Sequence, residues 1–150
     1  MNFSLALTKE NKVASNEARA YFSLAGYSFD PDNITRVLGI EPTSVNRAGA
    51  GMGMDRPAIS SWELSTEKFI DDIDVYAITN ELIKLIEPKK DKILQAIEGF
   101  NLSPRVGVVL RLSADKEASS PEVGFGARTI RFLAEIGAFV DIDYRQSGSV

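Results

Sequence analysis

The chain contains no histidine and no cysteine among its 150 residues. The first absence removes the usual general base near neutral pH and the commonest transition-metal ligand. The second removes the thiol nucleophile and every disulfide, so packing alone must hold the fold. Clustered positive charge is missing too. Lysine and arginine number 17 against 21 acidic residues, a net charge of -4, and the densest basic group (Lys89, Lys90, Lys92) is interleaved with Glu87 and Asp91. Sequence-independent nucleic-acid binding needs a contiguous basic footprint, so no nucleic-acid partner is expected. No apolar run approaches the ~20 residues that span a bilayer. Met1 to Thr8 also lacks the positive start and long apolar centre of a secretory signal. The expectation is a cytoplasmic protein with no membrane partner, although a cysteine-free chain is equally compatible with secretion.

What is present is the profile of an ordinary soluble domain, with 44% apolar and 25% charged residues. At this length one sizeable core is expected: a single domain over 1–150, with its core at about 17–145, a flexible N-terminal segment and a disordered tail from Ser147. Phe3, Leu5 and Leu7 alternate as in a short first strand. Glu17 to Leu24 is predicted as a strand, with Ala20, Phe22 and Leu24 on one face and Arg19, Tyr21 and Ser23 on the other. The next helix is fully punctuated: Asp30 as N-cap, Pro31 in the first position, a stripe of Ile34, Val37 and Leu38, and Gly39 at the end.

Ile59 to Ser65 reads as a strand with Trp62 and Leu64 on one face. A long helix capped by Asp71 or Asp72 is expected to bury Val75, Ile78, Leu82 and Leu85. Pro88 breaks it and opens another helix, buried through Ile93, Leu94 and Ile97 and closed by Gly99. Arg105 to Leu112 alternates as a strand, and Pro121 to Phe125 is a candidate edge strand. A last helix runs through Ile130, Leu133 and Ala134 to Gly137. A final strand, Ala138 to Tyr144, is expected to bury Val140 and Ile142. The order spells a ferredoxin-like β-α-β-β-α-β core preceded by an extra β-α unit. It predicts an α+β two-layer sandwich, a mainly antiparallel sheet with helices on one face.

Candidate chemistry is sparse. Gly49-Ala50-Gly51-Met52-Gly53 resembles a phosphate cradle only in composition, because it precedes a strand and lacks the Gly-Lys-Ser/Thr ending. It reads as a loop over 48–57, with a lid or partner-docking loop as the alternative. Asp141 and Asp143 share one strand face about 6.5–7 Å apart. They suit either a shared divalent cation or a solvated face that discourages edge pairing. No third acidic ligand is identifiable, so no metal or other cofactor is expected.

Arg47, Arg56 and Trp62 form the most attractive ligand- or partner-binding set: forks for a carboxylate or phosphate, and an aromatic anchor. The competing reading puts Trp62 in the core, with Arg47 tying the loop down. Ser60 and Ser61 have neither a histidine to activate them nor a Gly-x-Ser-x-Gly elbow, so no catalytic residue is assigned.

An ordered set of short motifs nevertheless resembles one bacterial family. It comprises Tyr21-Phe22-Ser23-Leu24, Phe29-Asp30-Pro31-Asp32, Leu38-Gly39-Ile40-Glu41-Pro42-Thr43, Arg47 with Gly49, Ser61-Trp62-Glu63-Leu64 and Leu85-Ile86-Glu87-Pro88-Lys89. The ending Leu133-Ala134-Glu135-Ile136-Gly137-Ala138 with Val140-Asp141-Ile142-Asp143 completes it. The family is the one catalogued as domain of unknown function 4279, and the resemblance runs from roughly Arg19 to Tyr144. It implies a small bacterial α+β domain, usually a whole protein, with no assigned catalytic residues. The glycine- and methionine-containing loop between Arg47 and Ile59 is longer than in that pattern.

The functional expectation is a non-enzymatic protein-binding module, immunity-type in one concrete version, because a compact acidic domain suits a basic target. The alternative is a small-molecule- or metal-binding protein or enzyme using Arg47 and the Asp141/Asp143 pair. A homodimer that completes a sheet between subunits is the third option.

Overall fold

The computed structural model describes residues 15–48 and 58–147. The expected strand at Phe3–Leu7, the glycine-rich run, Arg56 and the tail from residue 148 lie outside them. In chain order the elements are β1 (Glu17–Tyr27), α1 (Pro31–Leu38), β2 (Ser44–Asn46), β3 (Ile59–Ser65), β4 (Phe69–Ile70) and α2 (Val75–Ile86). They continue with a 3-10 turn (Glu87–Lys89), α3 (Lys90–Phe100), β5 (Ser103–Ser113), α4 (Ala127–Ile136) and β6 (Phe139–Ser147). The strands form one sheet in the order β2-β3-β1-β5-β6, with β4 added beside the start of β1. All pairings are antiparallel except β5 with β6. Parallel neighbours need a crossover, and α4 supplies it. The chain is therefore α+β with a mainly antiparallel sheet.

The expected ferredoxin-like order is not confirmed. The segment 121–125 is not a strand: it meets the rest of the chain through an isolated bridge between Glu122 and Asp74. The three-residue β2, unforeseen because its residues are all exposed, lies at the far edge instead.

Alternation decides which face is covered. In β1, Ala18, Ala20, Phe22 and Leu24 are buried while their odd-numbered neighbours are half exposed. Register lines these up with Trp62 and Leu64 on one side and with Val106, Val108 and Leu110 on the other. The helices cover that face and leave the opposite one open. Each Val, Leu, Ile or Phe so buried contributes roughly 1.5–3 kcal/mol relative to exposure. On the open face the Tyr21 ring lies across Gly107, where an added Cβ would come within 2.1 Å of the ring.

The helices follow their local signals, with corrections in α2, α3 and α4. Asp30 caps α1 by accepting from the Asp32 N–H (2.9 Å), and Gly39 ends it at φ 69°. In α2 the cap is Asp74, not Asp71 or Asp72, and Leu85 is 54% exposed. At 100° per residue the stripe runs through Val75, Ile78, Thr79, Leu82, Ile83 and Ile86, with Leu85 on its flank. Helix α3 runs past Gly99 to Phe100 and ends at Asn101 in the left-handed region (φ 55°). It buries Ile93 and Ala96, with Leu94 exposed. In α4, Phe132, Leu133 and Ile136 are buried and Ile130 is exposed.

The largest correction concerns β6. Val140 and Ile142 pair with the fully buried Val106 and Val108, yet they are 40% and 42% exposed. Helices pack against β1 and β3, while β6, at the sheet edge, is exposed from residue 139 to 146.

Candidate functional site

A groove of about 610 Å³ lies between the segment Ser65–Asp72 and one flank of α2. Its helical wall comes from Asp74, Ala77, Ile78, Glu81 and Leu85, spaced three and four residues apart, which places them on one side of the helix. Its other wall is Ser65, Thr66, Glu67, Phe69 and Asp72. Phe69, Ile78 and Leu85 make an apolar floor, and Glu67, Asp72, Asp74 and Glu81 supply four carboxylates with no cation in the lining.

Both walls are fixed by hydrogen bonds. The Thr66 N–H donates to the Ala20 carbonyl (2.8 Å), and the Ala20 N–H returns a bond to the Thr66 hydroxyl (3.0 Å). The Asp71 N–H donates to Asn16 O (2.9 Å), anchoring the turn in which Asp71 takes a left-handed φ of 80°. At the head of α2, Val75 donates to Glu122 O (2.8 Å) and Glu122 donates to Ile73 O (2.9 Å). The groove is thus preformed. Asp74 spends one oxygen on the Ala77 N–H (3.4 Å), and Glu81 has Lys84 at 3.9 Å. Among the described residues, no other cation lies within 4 Å of the four carboxylates.

Clefts lined by one sign of charge with low-dielectric walls focus their field. A lysine or arginine can lay its alkyl stem on the apolar floor and its charged head on the rim. The carboxylates line the groove without converging: among the described residues, no three acidic side chains come close enough together to hold a metal ion.

The residues expected from sequence sit elsewhere. Arg47 follows β2 and donates to Asp30 Oδ1 and Asp32 Oδ1, each at 2.8 Å. Its fork is engaged by the head of α1. The Asp32 N–H and then the Arg47 guanidinium hold the Asp30 carboxyl below the usual carboxylate range; the bonds to Asp32 and Asp30 raise Arg47 in turn. A shallow cavity of about 280 Å³ adjoins this corner, with Ser28, Asp30, Arg47 and Ser60 in its wall.

Trp62 is fully buried, its Nε1–H donating to the Thr35 hydroxyl (3.0 Å) and its ring edge-on to Phe22 at 6.4 Å between centroids. It is a core residue, because the strand alternation that orients Leu64 inward orients Trp62 with it. Trp62 therefore offers no surface anchor in this conformation.

Asp141 and Asp143 lie on the open face of β6, where Arg105 stands 3.8 Å from Asp141 and Arg145 3.7 Å from Asp143. Arg47 and this pair are not brought together. They belong to opposite edges of the sheet, separated by four strand spacings of ~4.8 Å each.

The groove residues escaped the sequence reading. In the sequence Asp71 and Asp72 read as alternative caps and Leu85 as core, while Asp74 carries no reading. The cue available was the Asp74, Ala77/Ile78, Glu81, Leu85 spacing, a polar-apolar flank beside the buried stripe.

Among the described residues, no helix is long and apolar enough to cross a membrane. No curated protein and no solved structure matches the chain. The family model for the domain of unknown function DUF4279 matches residues 16–147, nearly the whole chain, and the protein belongs to that family.

Proposed function

We propose that this protein is a non-enzymatic binding module of the bacterial cytoplasm that recognises a basic protein through the groove between Ser65–Asp72 and α2. The observation that carries this reading is the coincidence, in one cleft, of an apolar floor with four carboxylates and no lining cation. Asp74 caps α2 and Glu81 has Lys84 near it, but Glu67 and Asp72 have no cation within 4 Å among the described residues, and the four like charges repel one another. Such an arrangement becomes favourable when a cationic surface arrives, and it steers that arrival through its field. An immunity- or antitoxin-type role is the concrete version: a small acidic domain that masks a basic effector.

The chemistry agrees with binding over catalysis. The chain has no histidine or cysteine, and the Arg47 fork is occupied by Asp30 and Asp32. A reading in which Arg47 and the Asp141/Asp143 pair share one ligand has no support from their placement at opposite edges.

The test is affinity capture at native expression level, with bound proteins identified by mass spectrometry, for wild type beside the double variant Asp72→Lys, Glu81→Lys. The expected result is one stoichiometric basic partner, weakened by salt and lost in the variant. No partner for either protein, or a partner held equally by both, would overturn the reading.

A further inference from the structure

The two edges of the sheet are unlike. One edge, β2, is three residues long. The other, β6, runs nine residues with no proline, and every residue from 139 to 146 is exposed. A long edge strand is a template for strand pairing, and among the described residues β6 has no second neighbour for its outward N–H and C=O groups. Its two faces differ in chemistry. Val140, Ile142 and Tyr144 extend the buried rows of Val106, Val108 and Leu110, and are 40%, 42% and 70% exposed. Asp141, Asp143 and Arg145 alternate with them on the open face.

The geometry points to a second copy of this chain as the occupant, with β6 pairing antiparallel to β6 of the copy about a two-fold axis. Outward backbone groups alternate along a strand, so two identical edges pair only when opposed residues have the same parity. Apolar face then meets apolar face, and the buried rows continue from one molecule into the next.

Charge selects the register, because like charges directly opposite destabilise an antiparallel pair and opposite charges stabilise it. An axis at Ile142 sets Asp141 against the copy's Asp143 on both sides. An axis at Asp143 pairs Asp141 with Arg145 but sets Asp143 against itself. An axis at Tyr144 sets Asp143 against the copy's Arg145 on both sides, with no like charges opposed. It also stacks Tyr144 on its equivalent over the apolar face. Among the registers that overlap most of β6, the Asp-x-Asp-x-Arg pattern of 141–145 thus disfavours axes at Ile142 and Asp143 and favours the one at Tyr144. This assembly leaves the acidic groove free, since no β6 residue lines it.

The test uses the full chain and its lack of cysteine. Light scattering on the wild type is expected to give twice the 16.4 kDa chain mass. Among the single variants Ile142→Cys, Asp143→Cys and Tyr144→Cys, mild oxidation is expected to cross-link Tyr144→Cys into covalent dimers most completely. Asp143→Arg alone should be monomeric with unchanged circular dichroism, and Asp143→Arg with Arg145→Asp should be dimeric again. A wild type that stays monomeric to millimolar concentration overturns the inference. So does preferential cross-linking through position 142 or 143, or a double variant that fails to restore the dimer while folded.

Discussion

The corner at Arg47 and the groove beside α2 are built from the same materials, carboxylates near apolar side chains, and they use them in opposite ways. At the corner the charges answer one another: Arg47 bridges Asp30 and Asp32, and Asp30 also caps α1. Beneath it, even the Trp62 N–H has a partner in Thr35. In the groove the carboxylates stand on an apolar floor with little to answer them. A region whose polar groups are satisfied internally is doing structural work. One whose charges are left over, on walls tied down by backbone hydrogen bonds, has no such internal use for them.

Substitutions should separate the two regions. The largest effect is expected from Trp62→Ala, which removes the biggest fully buried side chain and should cost about 3–5 kcal/mol in urea unfolding. A loss below ~1 kcal/mol would mean that Trp62 is not the centre of packing there. Thr35→Val keeps the volume of that contact but orphans the indole N–H, for an expected loss of about 1–3 kcal/mol. In the groove, Asp72→Lys with Glu81→Lys should leave the unfolding free energy within about 0.5 kcal/mol, as for most surface changes. Partner affinity should nevertheless fall at least ~10-fold.

A pH series sharpens the same contrast. Asp30 and Glu87 are held below the ordinary carboxylate range, Asp30 by the Asp32 N–H and then Arg47, Glu87 by its bond from Arg128. A carboxylate with a depressed folded-state pKa stabilises the protein above its unfolded-state pKa. That stabilisation is lost as pH falls through the folded-state value. Urea midpoints should therefore drop below about pH 4, and less steeply in Asp30→Asn, which keeps a good cap but removes the charge. An Asp30→Asn acid limb identical to wild type would show that the ion pair contributes nothing. The smallest effect is expected from Arg47→Ala on partner affinity: none.

Which parts of this could be read from the sequence follows from how local each signal is. The cap, proline and glycine around α1 act within one turn, and α1 forms where they place it. The alternation in β1, β3 and β5 was equally legible, because each strand's own residues record which face is covered. Val140 and Ile142 show the limit. Their pattern matches β5, but burial depends on whether a helix reaches over β6, and that is a property of strand order. The same limit hid the groove. Asp72 reads as a cap and Leu85 as core, and their place in one groove emerges only when the Ser65–Asp72 segment folds against α2. Arg47 was legible as a fork for a carboxylate or phosphate, or as a tie for its loop. Its partners turned out to be the chain's own.

The most direct test of the central claim is the dissociation constant of the captured partner at two salt concentrations, for wild type, Arg47→Ala and the groove double variant. The account expects wild type and Arg47→Ala to bind alike and to weaken together with salt, and the groove variant to bind at least ~10-fold more weakly. Equal binding by the groove variant, or loss of binding in Arg47→Ala, would contradict it.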